Sequence, residues 1–536
     1  MARPEGFGKI SQGVVSEIAG NCGLSAFPVT RFNRAHLNEL YRQYGVEIDW
    51  DDYSGWRAAL ARRGVKLKMH ALCGHNTLRA AIAGYEQAGL SGPELDEMAR
   101  LLDRMLEQGA PGLSTGLLYV PGKFADSDEI VFLMKRLAAR GALYATHLRS
   151  EGSELLESLS ETVECARRAG LNRLQIRHFK TAGRANWSKL DAALALLEAA
   201  RQDGIELSVD RYPYTESMTQ LSVILPGEWG DLDDETIERR LADPAEQQAL
   251  ETALDESRSS EYWRTVRLVG TAAPGFSGCE GKTLDRLAAQ FRVTAPALAV
   301  KLLSADAAGT TAGFRGMSEE NLRRILALPW CMAGSDENAR PLDYSIGRSH
   351  PRAFGSLPRF LKLRFEDGAS IESAVRQVPG LPADTFRLAG QGYIAAGRPA
   401  DFAVFDPEEL DGTDDFANPH TPASGLLLTV IDGEAVYRFY DEAGEREDLR
   451  LTVLAEDAAA AADSLVLSAE RIEGGAVAWQ KEALNAAEQA FLERIYARSL
   501  ALSAAWEGLD EAQIAQTDRV CLRLRDGGEA YVYLLN

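Results

Sequence analysis

The sequence has little of several features that mark other classes of protein. No run of apolar residues is long enough to span a bilayer, and the amino terminus, MARPEGFGKIS, has no apolar core of a signal peptide. The six cysteines are scattered without the spacing of a disulfide framework, which is typical of a reducing compartment. We therefore expect a soluble, cytoplasmic protein that has no membrane partner.

Basic residues are also scarce relative to acidic ones. The chain has 58 Lys and Arg against 79 Asp and Glu, which gives a formal net charge of -21. An acidic excess of this size argues against nucleic acid or an anionic membrane surface as a partner and is typical of a surface that promotes solubility. The sequence also contains no internal repeat and no glycine-rich phosphate loop. Neither nucleic acid nor a membrane is therefore expected to bind.

Two β-type segments, GALYATHLRSEG and LNRLQIRHFKTAG, each contain a histidine where the apolar run ends, His147 and His178. Between them, residues 153–168 have apolar side chains at helical spacing, and Gly170 follows as a stop signal. Because parallel strands joined by a helix end on the same rim, the two imidazoles should lie side by side, which is half of a metal site. A histidine at a strand end can also be a hydrogen-bonded rim residue, and for this pair both interpretations remain open.

Strand-like segments recur along the chain with helices between them, which is typical of an α/β barrel. The seven segments of this kind are GVVSEIAGNCG (13–23), VKLKMHALCGH (65–75), GLSTG (112–116), the two histidine segments, GIELSVDRYPY (204–214) and LPWCMAGSDEN (328–338). We predict a TIM-like (β/α) barrel over residues 1–385. Residues 215–328 are too long for one crossover and include a separate strand, TVRLVG (265–270), so they predict an inserted subdomain or lid.

Two further regions follow the predicted barrel. Residues 386–440 alternate like antiparallel strands around an Asp-Gly turn and predict a small β module. Residues 450–536 include an Ala-rich stretch, an amphipathic helix at about 477–506 and a closing hairpin. They predict a carboxy-terminal α+β extension whose role the sequence does not indicate.

Eight motifs occur in the order of one known family. They are GNCGLS (20–25), CGHNTLR (73–79), GLSTGLLYVPG (112–122), YATHLRSE (144–151), IRHFK (176–180), DRYPYT (210–215), AGSD (333–336) and HPRAFGSLPR (350–359). Together they resemble the N-acyl-D-amino-acid deacylases, the D-aminoacylase branch of the amidohydrolase superfamily, from about residue 8 to residue 437. Each motif alone is a weak signal, whereas the ordered set is a strong one.

The resemblance implies a metal-dependent hydrolase barrel with a small β-sandwich, and a Zn2+ ion held by one cysteine and two histidines. These ligands map onto Cys22, His147 and His178. Thiolate and imidazole are ligands that zinc prefers, and three protein ligands leave a fourth position for water. For Cys22 alone a buried small side chain is the more ordinary interpretation, but its place in GNCG, whose glycines allow a turn at a strand end, favours a ligand.

The resemblance also implies roles for residues around the metal. Asp336 of AGSD maps onto the catalytic base, which takes a proton from the attacking water and passes it to the leaving amine. The alternative for Asp336 is a helix N-cap. Lys180, Tyr212 and Arg352 map onto the residues that hold the free α-carboxylate of the substrate.

Two more residues fall at or near pocket positions of the family. They are Tyr119, in GLSTGLLYVPG, and His75, on the rim nearby. For both, a structural role is as plausible as a functional one. The chain departs from the family pattern after YPYT, where Glu216, Ser217 and Met218 replace the small residues that are common there.

A second departure is at the start, where the family has a segment that gives half of the β-sandwich and a first barrel strand ending in His-x-His. The resemblance therefore implies a barrel that is incomplete at its first strand and open between the strands that carry Cys22 and Asp336. The implied function is zinc-dependent hydrolysis of N-acyl-D-amino acids to a carboxylate and a free D-amino acid. The alternatives are a catalytically impaired or inactive protein of this fold, and an amidohydrolase acting on a cyclic amide, against which the predicted carboxylate clamp argues.

Overall fold

The structure, a computed structural model, describes residues 2–42, 44–85, 89–395, 397–438, 448–454, 463–468, 521–523 and 529–531. The strands in these ranges are β1 (Ser16–Ala19), β2 (Lys68–Ala71), β3 (Cys73–Gly74), β4 (Gly112–Gly116), β5 (Leu143–His147), β6 (Arg173–Ile176), β7 (Glu206–Arg211), β8 (Glu216–Gln220), β9 (Val266–Gly270), β10 (Thr311–Arg315), β11 (Cys331–Ala333), β12 (Phe402–Phe405), β13 (Leu426–Ile431), β14 (Glu434–Arg438), β15 (Asp448–Leu454), β16 (Asp463–Ser468), β17 (Cys521–Arg523) and β18 (Glu529–Tyr531).

The α-helices of the described residues lie mostly between these strands. They are α1 (Phe7–Ile10), α2 (Arg34–Arg42), α3 (Tyr53–Arg62), α4 (His75–Ala83), α5 (Gly92–Glu107), α6 (Ser127–Arg140), α7 (Leu155–Ala169), α8 (Leu190–Gln202), α9 (Asp234–Arg240), α10 (Pro244–Ser257), α11 (Leu284–Phe291), α12 (Ala295–Asp306), α13 (Glu319–Leu326), α14 (Arg352–Glu366), α15 (Ile371–Arg376) and α16 (Gly380–Phe386). None of the described helices is long and apolar enough to cross a bilayer.

The barrel wall is a parallel sheet in the order β11-β7-β6-β5-β4-β3, and a second parallel pair, β1-β2, continues it. Strands β2 and β3 are separated only by Leu72, whose N–H donates to the carbonyl oxygen of Ala19 at 3.0 Å. The segment 68–74 therefore pairs with β1 through its first half and with β4 through its second half. Within the described residues no ladder joins β1 to β11, so these two strands form the edges of an open array. The predicted fold class, a TIM-like barrel open at this place, is confirmed.

Local sequence explains the βαβ unit at the centre of the wall. All five residues of β5 and all four of β6 are buried, as expected for parallel strands covered on both faces. Helix α7 between them buries an apolar face that includes Leu155, Leu159 and Val163, and it ends at Gly170 in the left-handed conformation. The helix predicted over 153–168 is thus present at Leu155–Ala169.

Residues between β7 and β11 form a separate unit. Strands β8, β10 and β9 make a three-stranded antiparallel sheet, and β9 is the TVRLVG segment that we left outside the barrel. Buried side chains such as Leu221, Leu250, Leu287 and Leu303 form a core of their own beside this sheet. The boundaries 215–328 of an inserted subdomain remain a prediction.

The remaining strands form a sheet in the order β14-β13-β12-β18-β17-β15-β16. The predicted closing hairpin corresponds to β17 and β18, and β18 pairs with β12 rather than with an edge of the barrel. The amphipathic helix predicted at about 477–506 lies outside the described residues, and the limits 386–440 and 450–536 remain predictions.

Candidate active site

Three of the predicted site residues have a backbone conformation that side chains rarely adopt. Among the described residues six non-glycine residues have positive φ, and Cys22 (53°), His178 (33°) and Asp336 (49°) are three of them. Each follows the carboxyl end of a barrel strand. Positive φ in such residues is costly and tends to occur at functional sites, where the surrounding structure holds it in place. The other three follow helices, as Arg292 and Arg387 do, or lie in the turn between β13 and β14, as Asp432 does, so the positive φ values at the ends of barrel strands are those of the predicted site residues.

The glycines of GNCG are required by the turn that presents Cys22. Gly20 has φ of 72° and Gly23 has φ of 78°. A Cβ atom on Gly20 would lie 2.1 Å from the carbonyl oxygen of Leu72, and one on Gly23 would lie 2.1 Å from Oδ1 of Asn76. Only glycine fits this close approach to the neighbouring strand, which agrees with the turn expected from the sequence.

The structure brings Cys22, His147 and His178 together. One ligand atom of each lies within 4.8 Å of the other two. Cys22 Sγ is 3.4 Å from His178 Nε2, and His147 Nδ1 is 2.9 Å from the same nitrogen. The imidazole rings meet edge to face, with centroids 4.5 Å apart. This is the arrangement that the rim of two neighbouring parallel strands was expected to produce.

Glu151 orients the second histidine. His178 Nδ1 lies 2.9 Å from Glu151 Oε1, and the Lys180 ammonium donates to the same oxygen. Lys180 Nζ is also 3.0 Å from His178 Nδ1, but two donors cannot share a hydrogen bond, so we assign the Nδ1 proton to the carboxylate. With a metal bound, that tautomer would leave the lone pair of Nε2 directed at Cys22 and His147. Without a metal, burial and Lys180 oppose protonation of His178, but the charges of Glu151, Asp336 and Cys22 outweigh them and raise its pKa well above the usual value, so the ring is an imidazolium.

The charges of this cluster support one another. Burial acts to raise the pKa of the Cys22 thiol, but the charge of His178 and hydrogen bonds with both histidines outweigh it and lower the pKa to about 6. Burial also opposes ionisation of Glu151, yet Lys180 and His178 hold the pKa of its carboxyl well below the usual range. Cys22 is therefore a thiolate near neutral pH, and Glu151 is a carboxylate.

Asp336 is half-buried beside the predicted clamp residues rather than at a helix start. Its Oδ2 accepts a hydrogen bond from Arg352 Nη1 at 2.8 Å, and the guanidinium lies over the Tyr212 ring, 4.7 Å from its centroid. Burial acts to raise the pKa of Asp336, but the charges of Arg352, His178 and Lys180 outweigh it and keep the pKa far below the usual range. The next helix, α14, begins at Arg352, so the N-cap interpretation of Asp336 is wrong.

The three predicted clamp residues are thus partly engaged within the protein. Lys180 binds Glu151 and Arg352 binds Asp336, whereas the Tyr212 hydroxyl is buried without a hydrogen-bond partner in the structure. His350 lies behind them, where its Nδ1 accepts from the Arg352 N–H at 2.9 Å. Burial and the charge of Arg352 lower the pKa of His350 well below its usual value, so this imidazole is neutral.

The two further residues predicted for the pocket have different surroundings. The Tyr119 ring meets the His147 ring with centroids 5.1 Å apart, and Tyr119 lines a cavity together with Cys22 and Asp336. His75 is fully buried at the start of α4, where Nε2 lies 2.8 Å from Glu129 Oε1. It does not line that cavity, so the geometry supports a structural role for His75 and leaves only Tyr119 at the site.

A large cavity of about 1810 Å³ opens on this site. It is lined by Cys22, Tyr119 and Asp336 and extends along the facing edges of β1 and β11. A small-molecule substrate has ample room to reach the cluster from this side.

The cluster fits a zinc ion by its spacing and by its chemistry. Zinc bonds of about 2.0–2.3 Å place tetrahedral nitrogen and sulfur ligands about 3.3–3.8 Å apart, and two of the three separations, 3.4 Å and 2.9 Å, are within about half an ångström of that range. The nitrogen of His147 that lies beside the other two ligands is Nδ1, and its Nε2 is buried without a hydrogen-bond partner in the structure. Thiolate and imidazole are suitable ligands for this ion.

Sequence reasoning missed two groups at the site. Glu151 closes the quoted motif YATHLRSE, four residues after His147, and an acid at that spacing from a presumed ligand was the available signal. Lys9, whose ammonium contacts Ser335 and Glu337 beside Asp336, had no signal, because these partners are distant in sequence.

The chain is similar to proteins of known activity. No family model matches it. It is 31% identical over 437 residues to the D-aminoacylase of Alcaligenes xylosoxydans xylosoxydans, covering 80% of this chain and 79% of that protein. It is 32% identical to the N-acyl-D-glutamate deacylase of the same organism, covering 80% and 78%. The structure also aligns with the crystal structure of N-acyl-D-glutamate deacylase from Bordetella bronchiseptica, which is complexed with zinc and a phosphonate that mimics the tetrahedral intermediate. The TM-score is 0.65 at 28% sequence identity, and the alignment covers 82% of this chain and 83% of that one.

Proposed function

Because this chain belongs to the D-aminoacylase family of the amidohydrolases, we propose that it is a zinc-dependent hydrolase of N-acyl-D-amino acids. It cleaves the amide bond and releases a carboxylate and a free D-amino acid. The observation that carries the proposal is the convergence of Cys22, His147 and His178 within 4.8 Å at the rim where Asp336 also lies.

Cys22, His147 and His178 would hold the ion, and Glu151 would fix the tautomer of His178. When bound, zinc supplies a Lewis acid that polarises the amide carbonyl and lowers the pKa of the attacking water. The residues of the chain do the remaining work of binding, orientation and proton transfer.

Asp336 moves the proton. Its carboxylate takes one proton from the attacking water as the oxygen bonds to the carbonyl carbon, and then gives that proton to the nitrogen as the C–N bond breaks. No proton is gained or lost overall in these two transfers. The cavity that reaches Asp336 and Cys22 gives water and substrate access to both groups.

Arg352 links substrate binding to the strength of this base. In the free protein its guanidinium holds the pKa of Asp336 far below the usual range. A substrate carboxylate bound between Arg352, Lys180 and the unpartnered Tyr212 hydroxyl would share that guanidinium. The pKa of Asp336 would then rise, which makes it a better proton acceptor only when substrate is present.

For the substrate side chain we propose a neutral or apolar group. Residues 215–237, which follow the strand that carries Tyr212, contain no Lys or Arg. Arg267, which lies on β9 of the same antiparallel sheet, is already paired with Glu216 at 3.0 Å. The comparison of kcat/KM for N-acetyl-D-leucine and N-acetyl-D-glutamate tests this, and a preference for the glutamate compound would overturn it.

The function itself is tested with purified, zinc-loaded protein and the two enantiomers of N-acetylmethionine. Chiral chromatography of the released amino acid should detect D-methionine from the D compound and none from the L compound. The Asp336→Asn variant is the control for contaminating activity. Release from neither enantiomer, or equal release from both, would contradict the proposal.

A further inference from the structure

Lys9 is an unusual residue for its position. It lies in α1, and only 1% of its surface is exposed. A buried ammonium is costly unless all of its donors are satisfied. Lys9 Nζ donates to Ser335 Oγ at 2.6 Å, to the Glu337 carbonyl oxygen at 2.7 Å and to Glu17 Oε1 at 2.7 Å. An ammonium has three N–H donors, and here three acceptors take them.

Two of these acceptors are the residues on either side of Asp336. Ser335 precedes Asp336 and Glu337 follows it, so one ammonium hydrogen-bonds to the residues on both sides of Asp336, whose φ is 49°. Such a conformation persists only where neighbouring contacts hold it. On the other flank Gly334 N–H donates to the Arg211 carbonyl oxygen at 3.1 Å, which fixes the chain before the turn. Lys9 supplies the corresponding support at the turn itself.

The third acceptor lies on the opposite edge of the open array. Glu17 belongs to β1, which leads directly into the turn that presents Cys22. The described residues contain no ladder between β1 and β11, and the side chain of Lys9 connects β1 to the loop after β11. One backbone hydrogen bond adds to this link, because the Gly8 N–H donates to the Arg340 carbonyl oxygen at 2.8 Å. The same ammonium therefore contacts the strand before the thiolate and the loop that carries the carboxylate.

From this geometry we propose that Lys9 is a positioning residue for Asp336, holding the loop of residues 334–340, here called the base loop, in register with the β1 edge. The inference rests on the proposed function for its effect on turnover, because Asp336 is the base there. Its structural part, the restraint of the base loop, is independent of catalysis. Lys9 itself does not contact substrate or reacting atoms.

The test compares Lys9→Met with Lys68→Met. Methionine keeps the approximate length of the side chain and removes the charge. Lys68 is the control, because it lies on β2, is partly buried and pairs with carboxylates outside the base loop, those of Asp401 and Asp432. Amide hydrogen exchange of peptides covering the base loop, zinc content and the steady-state constants are measured for both variants and for the unmodified protein.

In Lys9→Met, exchange in the base loop should be at least about tenfold faster, because the loop opens without its anchor. Its kcat should fall by about 100-fold while KM and zinc content stay within about twofold, as expected when a base is displaced by an ångström. Lys68→Met should leave base-loop exchange, kcat and zinc content unchanged. Equal base-loop exchange in Lys9→Met and the unmodified protein would overturn the proposal, and so would a loss of kcat that only follows a loss of zinc.

Ser335→Ala is the second variant, and it tests whether Lys9 holds the base loop if Lys9→Met does not fold. It removes one acceptor and leaves the buried charge with two, so base-loop exchange should rise and kcat should fall by about tenfold. An unchanged kcat together with unchanged exchange in Ser335→Ala would also overturn the proposal. If the unmodified protein hydrolysed no N-acyl-D-amino acid, the proposed function would fail, whereas the exchange comparison would still decide whether Lys9 holds the base loop.

Discussion

The two halves of the candidate site are held in place by different means. His147 is the last residue of β5 and His178 follows β6, and both strands lie inside a continuous six-stranded parallel ladder. Cys22 and Asp336 follow β1 and β11, which are edge strands in the described residues and are connected across the opening by the side chain of Lys9. Backbone ladders tolerate most single substitutions, whereas an edge that depends in part on one buried ammonium should be more sensitive to the loss of that charge. The edge half should therefore be the more sensitive to single changes.

The largest expected effect is on the edge half. Asp336→Asn removes the proton acceptor and should lower kcat by about 10²- to 10⁴-fold, because general acid-base catalysis contributes about that factor. Steady-state kinetics on N-acetyl-D-methionine measures it. Turnover equal to that of the unmodified protein would remove Asp336 from the mechanism.

On the ladder-held half, Glu151→Gln should have a smaller effect. Glutamine still accepts a hydrogen bond from His178 Nδ1, but it no longer balances the charge of Lys180. We expect a loss of about 10- to 100-fold in zinc affinity or turnover, as is usual for a group that orients a metal ligand. Competition with a chromophoric chelator measures the affinity. A loss as large as that of Asp336→Asn would reverse the ranking of the two halves.

Acid should weaken the packing of α14, the helix that begins at Arg352. Burial lowers the pKa of His420 to about 4, and the ring stacks on Phe354 and its Nδ1 donates to the Asp343 carbonyl oxygen. Since the unfolded chain binds this proton near pH 6.5 and the folded chain only near pH 4, stability falls as pH falls through that window. Allowing for partial solvation of the ring, the loss is about 2 kcal/mol.

Urea unfolding at pH 7 and at pH 4.5 checks this expectation. The His420→Phe variant keeps a ring beside Phe354 and removes the titration, so its stability should depend less on pH than that of the unmodified protein. Identical pH dependence in the two proteins would show that another group controls the acid limb.

The smallest expected effect concerns the thiol of the edge half. In metal-free protein the Cys22 pKa of about 6 predicts that alkylation by iodoacetamide rises about tenfold between pH 5 and pH 7 and then levels off. Mass spectrometry of the peptide that contains Cys22 follows the reaction, and bound zinc should block it. A rate that continued to rise up to pH 9 would show an ordinary thiol, not one that is paired with His178.

The ladder-held half was also the half that the sequence could predict. The helical spacing of apolar residues before Gly170 identifies α7, and the strand-helix-strand order then places His147 and His178 on one rim without further information. The edge half depends on contacts between residues that are far apart in sequence, such as Lys9 with Ser335, and no periodicity reports them.

The surroundings of two predicted site residues, His75 and Arg352, could be learned only from the structure. His75 sits in a strand-end motif, but it is the first residue of α4 and is buried against Glu129, because the helix begins where the sequence alone suggested a rim. Arg352 remains a predicted ligand of the substrate carboxylate, and in the structure it pairs with Asp336, sixteen residues earlier in the chain, which the sequence did not indicate. The resemblance identified the residues of the site, whereas charge pairing decides what each one contacts when no substrate is present.

The most direct test of this account is the zinc content of three purified proteins, measured by elemental analysis. Cys22 and Asp336 lie on the same edge half, but the account gives them different tasks, one as a ligand and the other as a base. It predicts about one tightly bound zinc per chain in the unmodified protein, about one in Asp336→Asn, and none in Cys22→Ala. Zinc retained in Cys22→Ala, or lost in Asp336→Asn, would contradict it.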